Sequence, residues 1–260
     1  MIKLCSLFSG SSGNCIFVES GSTRLLVDCG VSGKKIEQAL DSIGVDIKTI
    51  NALLLTHEHY DHVCSVGIVH RKSGADIFAN QKTFDAACGG FGKLKEDSVN
   101  IFEGGFCVGD ICVTPFSIPH DAVNPVGYTI SDGVKKVAVA TDIGHITETV
   151  ESSIMGCDTV LLESNHDVEM LLSGPYPYDL KMRILSDIGH LSNENAGITC
   201  ANLIKSGCKD IILGHLSGHN NHPDLCYVTT RSVLDGEGIK PSDYRLAVAS
   251  REMPGEVHIC

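Results

Sequence analysis

Apolar and polar residues alternate along this chain in short runs that predict a mixture of strands and helices. Short runs rich in Val, Ile and Leu predict strands, and these lie at residues 16–19, 24–28, 52–55, 111–116, 137–140, 159–162, 211–213 and 246–249. Amphipathic stretches between them predict helices, which lie at residues 33–42, 61–72, 82–88, 147–154, 177–188, 193–206 and 223–234. The regular alternation of the two kinds of element is typical of an α/β protein.

The predicted strands form two clusters, before and after about residue 120, and no linker rich in Pro, Gly or Ser separates them. This favours a single domain of residues 1–260, in which two sheets pack face to face with helices outside. In layered α/β folds, the residues that do chemistry lie on loops just beyond the strands. Five residues follow an apolar run directly or within a few positions: Asp28, His57, His120, Asp142 and His215.

Composition limits the possible functions. The 260 residues are 43% apolar and 20% charged, as in ordinary globular proteins. The net charge of −12 opposes a broad basic face for nucleic acid, so a polyanion would have to be held locally. We expect a cytoplasmic protein without membrane association, because there is neither a long apolar span nor a signal-peptide core. The twelve cysteines are expected to be reduced thiols, since they are scattered and form no C-x-x-C pair.

Metal-binding residue types are concentrated directly after the predicted strand at 52–55. Residues 56–62 have the sequence THEHYDH and contain four potential ligands, His57, His59, Asp61 and His62. The two histidines that are two positions apart can face one ion, while Asp61 and His62 can open a helix and face a neighbouring ion. This spacing suits two ions about 3.5–4 Å apart that share a water molecule. The alternative is a polar helix start with Asp61 as its cap and exposed histidines.

The pattern His-x-His-x-Asp-His after an apolar strand resembles the signature of the metallo-β-lactamase superfamily. Further segments match in the order that this family uses: 27–30 (VDCG), 119–121 (PHD), 140–144 (ATDIG) and 213–217 (LGHLS). The resemblance implies a four-layer αββα sandwich with two mixed β-sheets at its centre.

The resemblance also implies a set of metal ligands. One ion would be held by His57, His59 and His120, the other by Asp61, His62 and His215, and both by Asp142. Asp28 matches a carboxylate that orients ligands by hydrogen bonding. Taken alone, His120 and His215 are more often surface or hydrogen-bonded histidines, and Asp142 is a common turn residue. Only their joint occurrence supports these assignments.

Imidazole and carboxylate ligands favour Zn²⁺, with Mn²⁺ or Fe²⁺ as alternatives. The positive charge of two divalent ions exceeds the negative charge of Asp61, Asp142 and a bridging hydroxide, so the site keeps a net positive charge. Such a site attracts anionic substrates, stabilises charge on a phosphoryl or carbonyl oxygen and lowers the pKa of a shared water molecule. Hydrolysis is therefore the expected reaction.

Four further segments bear on the substrate. The glycines of the loop at 9–14 (SGSSGN) would let its backbone amides face an anion, although a plain hairpin fits equally well. In residues 120–128 a histidine is followed shortly by Gly-Tyr, which resembles the ribonuclease Z and phosphodiesterase branch. In the segment ESNHD at 163–167, His166 and Asp167 would contact substrate or support the metal ligands. The alternative is that Asn165 or Asp167 caps a helix.

The fourth segment places His190 just before a predicted helix that Ser192 or Asn193 would cap. The positive end of this helix suits a phosphate contact. By resemblance His190 would protonate the leaving oxygen, so that Asp61 and His190 are the expected catalytic residues. The alternative is a surface histidine beside a cap. His145, His219 and His222 are expected to lie outside the site.

Together these segments closely resemble the YycJ/WalJ/VicX group of bacterial proteins over essentially the whole chain. The resemblance implies 5′-to-3′ exonuclease activity on double-stranded DNA, with DNA ends as the partner. The interval from 142 to 166 is too short for the long arm by which ribonuclease Z grips tRNA. Because of the acidic charge, a small-molecule phosphodiesterase is the second hypothesis, and a thioester hydrolase is the third. A metal-free sensor or scaffold would be expected to have lost ligands.

Overall fold

The computed structural model describes residues 1–260 and contains fourteen strands and nine α-helices. The strands are β1 Ile2–Phe8, β2 Cys15–Ser20, β3 Thr23–Val27, β4 Ala52–Leu54, β5 Asp76–Ala79, β6 Val99–Ile101, β7 Phe106–Val108, β8 Ile111–Ser117, β9 Val126–Ser131, β10 Lys136–Ala140, β11 Thr159–Glu163, β12 Asp210–Gly214, β13 Arg245–Val248 and β14 His258–Ile259. The helices are α1 Gly33–Ser42, α2 Tyr60–Val63, α3 Val66–Ser73, α4 Gln81–Ala87, α5 Glu148–Ile154, α6 Val168–Ser173, α7 Tyr178–Ile184, α8 Asn193–Lys205 and α9 Pro223–Gly236. None of these helices combines the length and the apolar character needed to span a membrane.

The strands form two mixed sheets of seven strands each. The first has the order β14-β1-β2-β3-β4-β5-β6 and the second the order β13-β12-β11-β10-β9-β8-β7. Strands β3 to β6 run parallel in the first sheet, and β10 to β13 run parallel in the second. Because parallel strands end at the same edge of a sheet, the loops that follow them are brought together.

Apolar side chains form three layers. One core lies between the helices α1 and α3 and the outer face of the first sheet, and a second lies between α5, α8 and α9 and the outer face of the second sheet. The third core lies between the two sheets. Alternation along one strand shows the division: Val160 and Leu162 of β11 join the outer core, whereas Leu161 between them joins the central one. The predicted αββα sandwich is confirmed.

Most predicted elements are present, but two predictions about their arrangement are wrong. The strand predicted at 111–116 was assigned to the first cluster, yet β8 pairs with β9 in the second sheet. The helix predicted at 61–72 is broken into α2 and α3. Its break lies at Ser65, whose backbone N–H donates to the carbonyl of Cys29, 3.0 Å away, instead of continuing the helical ladder.

The expectation that all cysteines are reduced is also wrong. Cys107 and Cys112 are directly opposite each other in β7 and β8 and form a disulfide bond. The other ten cysteines are free, and seven of them are buried. The spacing of these cysteines along the chain did not reveal that a hairpin places them opposite each other.

Candidate metal centre

Six strand ends meet at one edge of the sandwich and carry the candidate ligands and their supporting carboxylates. The first sheet supplies the loops after β3 and β4, which carry Asp28 and residues 57–62. The second sheet supplies the loop after β8, which carries His120, and the ends of β10, β11 and β12. Polar side chains from both sheets therefore face one another across the end of the central core. The residues that the sequence placed after apolar runs thus lie just beyond strands of the structure.

The segment after β4 and the loop after β8 carry the first group of histidines. His57, His59 and His120 present ring nitrogens that all lie within 4.8 Å of one another. His59 is the N-cap residue of α2, but its side chain makes no capping hydrogen bond, and Asp61 lies in the first turn. The alternative in which Asp61 caps this helix is therefore wrong. The four candidate ligands of this segment belong to the cluster instead of satisfying the helix start.

Asp28 supports this segment from behind. Its carboxylate accepts hydrogen bonds from the backbone N–H of Thr56 at 2.9 Å and from the Thr56 hydroxyl at 2.8 Å. Its Oδ2 also lies 2.7 Å from Nδ1 of His62. With Nδ1 held by the carboxylate, Nε2 of His62 is directed towards the cluster, which is the arrangement expected for a metal-binding histidine.

Asp142, at the end of β10, lies between the two groups of histidines. One carboxylate oxygen, Oδ2, is 3.3 Å from Nε2 of His62. The other, Oδ1, is 3.4 Å from Nε2 of His215 and 3.7 Å from Nε2 of His120. Asp61, His62 and His215 form a further group whose ligand atoms lie within 4.8 Å of one another. Asp142 thus lies between His120 of the first group and His62 and His215 of the second.

Glu163 organises the part of the centre that comes from the second sheet. It is fully buried, and its Oε1 lies 2.8 Å from Nδ1 of both His190 and His215. Its Oε2 accepts hydrogen bonds from the backbone N–H groups of Ile143, at 2.5 Å, and Leu191, at 3.4 Å. One carboxylate thus orients two histidines and ties together the loops that carry them. No role for Glu163 was predicted, although it belongs to the ESNHD segment.

Three residues of the centre have a left-handed backbone. The φ angles of Asp28, Asp142 and His215 are 62°, 60° and 56°. Asp97, on an exposed loop, is the other non-glycine residue with positive φ. Conformations of this kind cost about 1–3 kcal/mol each and persist where the surroundings impose them. The three strand ends therefore turn sharply enough to direct their side chains into one cluster.

The charges around this cluster strongly influence its pKa values. Burial alone would raise the pKa of Asp142, but the facing histidines, His215 first, hold it well below its usual range. Burial would lower the pKa of His62, yet Asp142 and Asp28 outweigh it and raise the pKa to about 10. For His57 burial dominates, and its pKa is well below the ordinary value.

The donor set fits divalent metal ions. Oδ2 of Asp142 and Nε2 of His215 are buried and have no hydrogen-bond partner within the chain. Leaving such atoms unsatisfied is costly, and metal coordination is a common way to satisfy them. The raised pKa values of His62 and His215 leave protons on these rings at neutral pH. Bound ions would displace these protons, because ligands bind metals in their deprotonated form. Imidazole nitrogen and carboxylate oxygen together suit Zn²⁺, Mn²⁺ and Fe²⁺.

The loop at 9–14 folds back on itself beside the centre. The Asn14 carboxamide oxygen accepts the backbone N–H of Gly10 at 2.9 Å, and Gly13 N–H donates to the Gly10 carbonyl at 2.9 Å. The Asn14 amide nitrogen lies 3.0 Å from Nε2 of His62. The backbone N–H groups of Gly10 and Gly13, which belong to the amides expected to face an anion, thus form hydrogen bonds inside the loop. The Asn14 side chain contacts His62 of the cluster.

Two predicted residues, His166 and Asp167, lie apart from the clustered ligands. Asp167 is the N-cap of α6 and accepts the backbone N–H of Met170 at 2.8 Å, as the capping alternative predicted. His166 is buried, and neither ring nitrogen has a hydrogen-bond partner. Ser192 caps α8, next to His190, as one of the two alternatives predicted.

Three other histidines also lie outside the cluster. His145 is near the Asp187 carbonyl, His219 stacks edge-on against Tyr176, and His222 caps α9. This agrees with the expectation for all three.

Comparison with known proteins identifies the family. Residues 9–215 match the model of the metallo-beta-lactamase superfamily. The chain is 39% identical to exodeoxyribonuclease YycJ of Bacillus anthracis over 234 residues, which are 89% of each protein. It is 42% identical to exodeoxyribonuclease WalJ of Streptococcus pneumoniae serotype 2 over 231 residues, 87% of this chain and 86% of that protein.

A solved structure shows the same fold at low sequence identity. The metallo-beta-lactamase fold protein YhfI from Bacillus subtilis superposes with a TM-score of 0.71 and 18% identity, over 98% of each chain. The fold, the clustered histidines and aspartates and the identities over most of the sequence agree with one another. The chain is a metal-dependent hydrolase that belongs to the metallo-beta-lactamase superfamily and, within it, to the family of the YycJ and WalJ proteins.

Proposed function

We propose that this chain is an exodeoxyribonuclease that hydrolyses phosphodiester bonds of duplex DNA from the 5′ end. The observation that carries the proposal is the arrangement of two three-residue ligand groups around Asp142, with His190 held beside them by Glu163. The relatives that bear the name exodeoxyribonuclease, at 39% and 42% identity over most of the chain, support the choice of DNA.

In this proposal the chain holds two divalent metal ions. His57, His59 and His120 hold one ion, Asp61, His62 and His215 hold the other, and Asp142 contacts both. Zn²⁺ is favoured by the donor set, and Mn²⁺ and Fe²⁺ are the alternatives. When bound, the ions polarise a phosphoryl oxygen and lower the pKa of a water molecule towards neutrality.

The side chains of the protein then have distinct tasks. Asp28 and Glu163 fix the orientation of the histidines by hydrogen bonds at 2.7 and 2.8 Å. Asp61, whose side chain is 29% exposed, binds metal and accepts a hydrogen bond from the attacking water. His190 uses Nδ1 to contact Glu163, which leaves Nε2 to protonate the leaving oxygen.

The test of DNA as substrate is a comparison of substrates under identical conditions. The protein is loaded with Mn²⁺ or Zn²⁺ and given 5′-phosphorylated duplex DNA, single-stranded DNA, RNA and a chromogenic phosphodiester. Progressive loss of duplex DNA from the 5′ end is expected. Turnover of the small diester alone would support the second candidate, a small-molecule phosphodiesterase, which the net charge of −12 favours.

His190 provides a test of the proposed roles. We expect His190→Ala to slow phosphodiester cleavage by about 10²–10⁴-fold, the range typical of a general acid. Metal content, measured by mass spectrometry after dialysis, should stay at that of the unmodified protein. Loss of metal from this variant would instead make His190 a ligand.

A further inference from the structure

A small cavity lies directly beside the candidate metal centre. Its volume is about 170 Å³, and His190 forms part of its wall. Tyr176, Leu180 and Ile184 are the apolar part of its lining, and Ser11 and Ser217 belong to the polar part. A cavity lined by an aromatic ring, apolar side chains and polar groups suits a ligand with both a flat ring and polar groups.

Arg183 of α7 also lines this cavity, and its orientation is fixed by a carboxylate. Its Nε donates to Oδ2 of Asp121 at 2.5 Å, and its terminal nitrogen contacts the same oxygen. A guanidinium has five N–H donors in a rigid fork. The donors that Asp121 does not use remain available, and the side chain is 56% exposed.

Asp121 connects this cation to the metal centre. It follows the candidate ligand His120, and its Oδ1 lies 3.4 Å from Nε2 of that histidine. Oδ1 itself has no hydrogen-bond partner within the chain. The guanidinium is thus held at a set place relative to the ligands, which is the requirement for recognising a phosphate at a fixed distance from the reacting bond.

We propose that this cavity is the subsite for the terminal nucleotide of the substrate and that Arg183 is the residue that binds its 5′-phosphate. The assignment rests on the proposed function, because it takes the leaving group to be a nucleotide. A general acid has to contact the leaving oxygen, and His190 lines this cavity. The group that occupies the cavity is therefore the leaving group.

The chemistry of the step is consistent with this placement. The oxygen of a water molecule bonds to the phosphorus while one of its protons passes to the Asp61 carboxylate, and the bond from phosphorus to the 3′-oxygen of the terminal nucleotide breaks. The electron pair of that bond goes to the 3′-oxygen, which takes the proton from His190. The nucleotide leaves with its own 5′-phosphate, which Arg183 contacts, and the remaining strand carries a new 5′-phosphate.

The size of the cavity indicates how much of the substrate it holds. Its volume of about 170 Å³ is below the range of about 300–1,000 Å³ typical of pockets for drug-sized ligands. A cavity of about 170 Å³ has room for the base or the sugar of one nucleotide, and the 5′-phosphate of that nucleotide then lies outside it at the open side, beside Arg183. Such a subsite suits removal of nucleotides one at a time.

The test uses the metal-loaded protein and deoxyadenosine 5′-monophosphate as the probe, with binding measured by calorimetry. Arg183→Gln should weaken binding of this nucleotide about tenfold or more, because a hydrogen-bonded charge contact is lost. Binding of deoxyadenosine, which has no phosphate, should change little. Lys181→Gln is the matched control, since Lys181 lies on the same helix, contacts the Leu172 carbonyl and loses the same charge.

Unchanged affinity of Arg183→Gln for the nucleotide, at unchanged metal content, would overturn the assignment even if the protein cleaves DNA. Equal weakening in Lys181→Gln would also overturn it, because the effect would then reflect overall charge. Nucleotide binding that depends on Arg183, in a protein that cleaves no phosphodiester, would support the subsite and contradict the proposed function. The two proposals can therefore fail separately.

Discussion

The two sheets contribute to the candidate metal centre in different ways. The first sheet supplies four of the seven candidate ligands from one short segment, residues 57–62, behind which stands a single carboxylate, Asp28. The second sheet supplies its residues from loops spread between 120 and 215, and Glu163 ties two of those loops together. One half is a local motif, and the other half exists only once the sheet has formed.

This difference shows which residues determine the geometry of each half. A local motif needs one turn of chain and one supporting contact, so its geometry depends mainly on neighbouring residues. The dispersed half depends on the register of β10, β11 and β12, which are hydrogen-bonded side by side. A buried carboxylate that accepts from two histidines and two backbone N–H groups holds it together. The two halves should therefore respond differently to mutation.

The largest effect is expected from the residue that belongs to both halves. Asp142→Ala removes the carboxylate that lies between His62, His120 and His215. Without it the facing ligands lose their shared negative charge, so metal content after dialysis should fall from about two ions per chain to less than one. Phosphodiester cleavage should fall to the level of a metal-free sample.

Asp97→Ala is the control for this change. Asp97 has nearly the same backbone conformation, with φ of 60°, but it lies on an exposed loop. Its substitution should leave metal content and cleavage unchanged. If Asp142→Ala retained both ions, Asp142 would not be a shared ligand.

Glu163→Gln is expected to damage one half only. The amide has one acceptor oxygen where the carboxylate has two, so it cannot accept both from the two histidines and from the backbone N–H groups of Ile143 and Leu191, and His190 and His215 lose their fixed orientation. Changes to such supporting residues typically cost about 10–100-fold in metal affinity or activity. A metal titration should show one ion bound as before and one bound more weakly, whereas Glu169→Gln, at an exposed position of α6, should behave as the unmodified protein. Equal weakening of both ions would show that Glu163 does not act through His215 alone.

Asp28→Asn is the corresponding change in the local half. It disturbs one histidine, His62, instead of two, so the loss should lie at the lower end of the same range of about 10–100-fold. The ion held with His62 should be affected more than the ion held by His57 and His59. The measurement is the same titration, and an effect larger than that of Glu163→Gln would show that the local motif depends more on its support than proposed.

The smallest effect is expected at His166, which belongs to neither group of candidate ligands. Burial lowers its pKa to about 4, against about 6.5 in an unfolded chain. Between these values the unfolded chain holds one more proton, so the free energy of unfolding falls as the pH falls, by up to about 1.4 kcal/mol per pH unit. Above pH 6.5 the neutral ring adds no such dependence.

His166→Leu should remove this contribution. Denaturant unfolding of both proteins between pH 4 and pH 7.5 checks it. As the pH falls, the free energy of unfolding of the unmodified protein should fall relative to that of His166→Leu. Cleavage at pH 7.5 should be nearly unchanged, because no hydrogen bond of the ring connects it to the ligands. Parallel pH curves would contradict the prediction, because they would show that the ring has the same pKa in the folded and the unfolded chain.

The local half was predicted well from the sequence, and the dispersed half only through resemblance. The order of His57, His59, Asp61 and His62 is visible as spacing, and the helix Gly33–Ser42 was predicted with the bounds that the structure shows. The role of Glu163 was not predicted, because its partners His190 and His215 are far away in sequence. The contact between Arg183 and Asp121 was missed for the same reason.

Some elements were missed because their sequences contain weak or conflicting signals. Strand β9 begins after Pro125 and contains Gly127, which normally weakens a strand. In the fold Gly127 is required, since a Cβ there would lie 2.4 Å from the ring of Phe116 on the neighbouring strand. Strand β6 is only three residues long and includes Asn100. Such positions depend on what packs against them, which spacing along the chain does not reveal.

The left-handed backbone at Asp28, Asp142 and His215 has a consequence for the evolution of this protein. Glycine would relax the chain at each of these positions, so a selection for heat resistance alone would favour it there. Each such replacement would remove a carboxylate or an imidazole from the centre. Gains in thermostability at these three positions are therefore opposed by loss of hydrolysis, and laboratory evolution towards a sturdier enzyme has to find its stabilising changes elsewhere in the sandwich.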